Sequence, residues 1–178
     1  MAFVTGPASG AAGAPGEVHT TQLNPVGMEA VFSDHNSYVY LPGVASTVAG
    51  SWVTISAPTG HADATTALLT VNATGPVAIA TAATVASTWG WYLVKGYYSG
   101  AHAGSNGTIV SGGGYLQAEV ASGGTGRVVL GVSAGGASFI FGAFSYSGQP
   151  DTDSVAAGTP GIDQIVVYVR YPFAALNY

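Results

Sequence analysis

Glycine cuts the C-terminal half of this chain into runs that are too short for helices and the right length for strands. Gly112-Gly-Gly114, then Gly123, Gly124 and Gly126, then Gly135-Gly136, then the stretch from Gly148 to Gly161 separate five runs: Thr108 to Val110, Tyr115 to Val120, Arg127 to Ser133, Ser138 to Ser145 and Ile162 to Tyr171. These runs favour β-branched and aromatic residues, and no segment sustains a 3.6-residue apolar period. Short strands separated by glycine-rich turns predict an all-β fold, an antiparallel β-sandwich or a small β-barrel.

The N-terminal half follows the same logic. Met28 to Phe32 and Ser37 to Leu41 bracket Ser33-Asp-His-Asn36, a turn-forming cluster that predicts a hairpin. Ser51 to Ser56 reads as a strand closed by Pro58-Thr-Gly60. Thr66 to Val71 and Val77 to Thr81 read as a further pair around the turn Asn72 to Pro76. Ala82 to Ala86 is compatible with a single helical turn, and Ser99 to Gly107 reads as a loop.

Ser87 to Tyr98 anchors the reading, because it holds two of the three tryptophans, three of the ten tyrosines and the only lysine. As a strand it puts Trp89, Trp91, Leu93 and Lys95 on one face and Gly90, Tyr92, Val94 and Gly96 on the other. Burying such aromatics pins a core, so this is the expected central strand.

A chain of 178 residues suits one sizeable domain plus an arm. Residues 1–25, rich in Gly, Ala and Pro, read as an extended N-terminal arm, and residues 26–178 as a single β-rich domain. The arm cannot fold on its own contacts, so either a neighbouring chain holds it or it straps across its own domain; both alternatives stay open.

Only 6% of residues are charged, which leaves a surface of small apolar, hydroxyl and amide groups suited to a protein packed against others. Lys95, Arg127 and Arg170 are the only strong bases, the net charge is −5, and no basic stripe points to nucleic acid. Without Cys there is no disulfide, thiolate metal site or thiol nucleophile. Ala64 to Val94 is free of charge, but Thr, Ser, Gly, Asn72 and Pro76 interrupt it, so no membrane-spanning helix is expected. Met1 to Gly16 lacks the basic and Leu-rich regions of a signal peptide.

No motif carries chemistry, and the expected catalytic, cofactor and metal sets are all empty. Gly131-Val-Ser-Ala-Gly135 matches a nucleophile elbow around Ser133, and Asp151, Asp153 and Asp163 follow it, but no histidine lies beyond His102 and no helix pattern follows. His19, His35, His61 and His102 are isolated, without the paired spacing of a metal site. Asp151-Thr-Asp153 lacks the Gly and Glu of a calcium loop. Asn72-Ala-Thr74 and Asn106-Gly-Thr108 match a glycosylation acceptor, which matters only in a secretory pathway. The aromatics Trp89, Trp91, Tyr97, Tyr98, Phe139, Phe141 and Phe144 could stack sugars if exposed, but their strand spacing points to core.

Four stretches carry a family resemblance: Ser37 to Thr54, Gly75 to Ala80, Ala83 to Gly96, and the ending Tyr171-Pro-Phe173. In strand-and-turn texture, over about Val26 to Phe173, they resemble the decoration, or cement, proteins encoded beside the major capsid protein of tailed bacteriophages. The long leader and the inserts at Ser99 to Gly107 and Ser147 to Gly161 depart from that pattern. The resemblance implies a non-enzymatic, cofactor-free virion protein on the outer surface of the capsid. It would bridge major capsid subunits and contact other copies of itself, as in a trimer at three-fold positions. The alternative is a carbohydrate- or receptor-binding virion module such as a head fibre tip.

Overall fold

A computed structural model describes residues 10–56, 64–104, 115–118, 126–130, 138–145 and 163–176. Their strands are β1 (Glu29–Val31), β2 (Ser37–Pro42), β3 (Trp52–Ser56), β4 (Thr65–Leu68), β5 (Gly75–Ala80), β6 (Trp89–Ala103), β7 (Tyr115–Ala118), β8 (Val128–Leu130), β9 (Ser138–Ser145) and β10 (Asp163–Leu176). No helix occurs among the described residues, and Ala82 to Ala86 is irregular, with a bend at Ala82 and a turn beginning at Ala86.

Six strands close into a barrel in the order β6, β8, β7, β9, β10 and β5, with β5 bonded back to β6. β1, β2, β3 and β4 are bonded outside this ring. The fold is therefore the barrel form of the all-β expectation. Its pairings are antiparallel except for one parallel contact, Ala103 with Val128, where β8 meets β6.

β6 is the longest strand and belongs to both halves of the wall. Its first part pairs with β2 and β5, and its second with β10. Trp91, Leu93, Ala101 and Ala103 point into the barrel beside Trp52, Ile79, Leu116, Ile140, Ile165, Val167 and Val169. Tyr92 and Val94 point outward, yet they too are buried, in a second apolar layer with Val39, Leu41, Val53, Ala78 and Ala80. Val26, Val44, Ile55 and Leu68 pack against that layer.

Four expectations are corrected here. Lys95 does not share the face of Trp91 and Leu93, because the register slips between Ser37–Lys95 and Tyr38–Leu93 and leaves Val94 as an extra residue. Such a bulge reverses the alternation, so Lys95 and Tyr97 face outward. Ser99 to Ala103 is strand, not loop, because Asp163, Gln164 and Ile165 of β10 supply its partners. β4 and β5 are not partners of each other, since β3 lies between them and pairs with both. β10 continues past Tyr171 to Leu176, carried by pairing to β9.

The bulge is fixed by the β1–β2 turn. The Asn36 side chain accepts from the Tyr97 amide at 3.0 Å and donates to the Tyr97 carbonyl at 3.1 Å, standing in for a strand partner. Gly96 is required beneath it: its φ is +126°, and a Cβ there would come within 1.7 Å of Asn36 Oδ1.

Residues 10–24 strap across their own domain. His19 and Trp89 exchange two backbone hydrogen bonds of 2.8 Å. Ala12 and the Asn24 side chain bond reciprocally at 2.8 Å, and Trp91 Nε1 donates to the Ala12 carbonyl at 3.3 Å.

Candidate functional site

Most of the catalytic-looking signals fall outside the described residues. Ser133, His61, Asp151, Asp153, Asn106 and the glycines of 112–114 and 123–124 lie outside the described residues, as does the side chain of Asp163, whose backbone opens β10. His35 sits in the β1–β2 turn with φ +62°. His19 and His102 are both buried, His19 within the leader strap and His102 against Gly50. Among the described residues no three His, Cys, Asp or Glu side chains are grouped to hold a metal ion. No described helix is long and apolar enough to cross a membrane.

His19 is a fastener for the leader. The Tyr40 hydroxyl accepts from the Leu23 amide at 3.2 Å and lies 3.0 Å from His19 Nδ1. If that hydroxyl donates to Nδ1, the ring proton sits on Nε2, 3.5 Å from Glu17 Oε2. The Ala14 amide and then His19 hold the Glu17 carboxyl below its usual range. Gly13 makes the closure possible, since a Cβ there would lie 2.3 Å from the His19 ring. His102 is kept neutral well into acid, its pKa pushed down to about 4 by burial first and by the charge of Arg127 second.

The outer wall is where the structure departs most from expectation. Of the seven aromatics expected in the core, Trp91 is fully buried and Trp89, Tyr98 and Phe139 are half-buried, but Tyr97 is 54% exposed, Phe141 53% and Phe144 39%. Tyr171 and Phe173 are also exposed. Register explains the difference: Val167, Val169 and Ala174 take the inner positions of β10, so their neighbours Tyr168, Arg170 and Phe173 face out, opposite Tyr97, Lys95 and Phe141. The glycine in Lys95-Gly96-Tyr97 was the readable sign of the bulge that turns Tyr97 outward.

Two patches result. One is apolar: Phe141 lies opposite Phe173 and Phe173 opposite Pro76, which borders a groove of about 280 Å³ lined by Val39, Leu41, Ile55, Val94 and Tyr171, with Glu29 at its rim. The other sets Lys95 and Arg170 beside Tyr97, Tyr168 and Phe144. Each offers contact surface, and in the first the Tyr171 hydroxyl donates to the Glu29 carboxylate.

The chain matches no protein-family model, no curated protein and no solved structure.

Proposed function

We propose that this protein is a non-enzymatic structural component of a phage virion, decorating the outer face of an icosahedral head by bridging major capsid subunits and touching its own copies. The observation that carries this reading is the apolar patch running from Phe141 and Phe173 over Pro76 into the Leu41–Ile55 groove. Exposed aromatics around a shallow apolar pocket are what anchor protein interfaces. The 6% charge content supports it as well, because a surface with so few ions loses little hydration when covered. Repetition over symmetric positions then turns a modest contact into lasting occupancy. The resemblance to decoration proteins supplies the virion context.

The test is co-sedimentation with shells assembled from the major capsid protein encoded beside it. The parent chain is expected to bind, and Phe141→Ser with Phe173→Ser to lose about tenfold or more in affinity while staying folded. Absence of binding by the parent, or equal binding by the variant, overturns the proposal.

A further inference from the structure

Two of the three strong cations in the chain, Lys95 and Arg170, stand directly opposite each other on β6 and β10. Both are exposed, and among the described residues neither forms an ion pair. The Glu29 carboxylate accepts the Tyr171 hydroxyl instead. Like charges at facing positions oppose folding. A local conflict of this kind, in a chain that carries so little charge, marks a place shaped for something other than stability.

The surroundings say what would relieve it. Two residues along the same strands, Tyr97, Tyr168 and Phe144 occupy one row across β6, β10 and β9. The Tyr97 and Tyr168 rings lie 4.8 Å apart and tilted by 49°. Adjacent strands are about 4.8 Å apart, so a row across three of them spans more than one unit of a chain-like ligand. A dry protein interface is an unsuitable occupant, because charged residues, and Lys above all, are depleted from the buried centres of such contacts. A hydrated ligand with both flat apolar faces and anions satisfies both halves of the site.

We infer that this corner of the barrel binds an acidic polysaccharide, whose sugar faces lie on Tyr97, Tyr168 and Phe144 while a carboxylate bridges Lys95 and Arg170. The site is separate from the Phe141–Phe173 patch and stands whether or not that patch meets a capsid.

Affinity electrophoresis through gels containing polygalacturonate, neutral dextran or polyglutamate tests it. Polygalacturonate should retard the full chain, dextran should not, and added salt should weaken the retardation. Lys95→Gln with Arg170→Gln should lower the affinity about tenfold, as expected for losing two charge-assisted contacts. That variant should also melt no lower than the parent, because the opposed charges are gone, and Tyr97→Ala should weaken binding independently. The proposal is overturned by no retardation, by equal retardation in dextran, or by unchanged binding of the double variant. Equal retardation in polyglutamate overturns it too, since the carboxylates would then act without the sugar faces, as on an acidic protein.

Discussion

At the scale of single residues, the two tryptophans of β6 separate core from margin. Trp91 is fully enclosed, edge-on to Phe32 and Tyr40 at centroid distances of 5.1 Å. Trp91→Ala is expected to lower stability by about 3–5 kcal/mol in urea unfolding, whereas Trp89→Ala, at a half-buried position, should cost clearly less. A second residue effect is a pH dependence. His102 has a folded pKa of about 4 against 6.5 in the unfolded chain, so between those values the unfolded state binds the extra proton. Its contribution is therefore intact above about pH 6.5, declines as pH falls and levels off below about pH 4. Melting followed across this window should show the decline, and the His102 ring resonances should stay in their neutral positions down to the lower limit.

At the scale of elements, the leader is a structural strap. Removing residues 1–25 takes away the paired His19–Trp89 backbone bonds, the Asn24–Ala12 bracket and the cover over the Trp91 indole nitrogen. The truncated chain should melt several degrees lower, with faster amide exchange at Tyr40 and Trp91, as expected when a few kcal/mol is lost from a domain of this size. Much at this scale was legible beforehand. The hairpin about Asp34 to Asn36 formed because those residues make their own turn, with Asp34 Oδ1 accepting from the Asn36 amide. Ser138 to Ser145 was bounded correctly by its glycines. What could not be read depends on partners distant in sequence. Ser99 to Ala103 has loop composition and is strand because β10 pairs with Ala101 to Ala103 and β8 adds a contact at Ala103. The outward turn of Lys95 and Tyr97 requires Asn36, some sixty positions upstream, to seat the bulge. Alternation alone assigns the exposed aromatics to the core for the same reason, since it fails once an extra residue enters a strand.

At the scale of the whole molecule, closing the sheet removes most of the unpaired edges that a long flat sheet would present. Among the described residues the open edges that remain are β1 and β4, of three and four residues. Strand addition at these short edges is thus a weaker route to assembly than contact through the aromatic outer wall. The capsid and polysaccharide tests address different parts of that wall and read out separately, so either contact can fail without the other. No candidate site draws on the barrel interior, which is filled by Trp52, Trp91, Ile140 and their neighbours.

The bracket between Ala12 and Asn24 has a practical corollary. A peptide or reporter joined ahead of Gly10 would leave the barrel from one defined spot beside the Trp91 indole instead of swinging on a loose tether. Copies arrayed on a common support would then present their cargo in matching orientations.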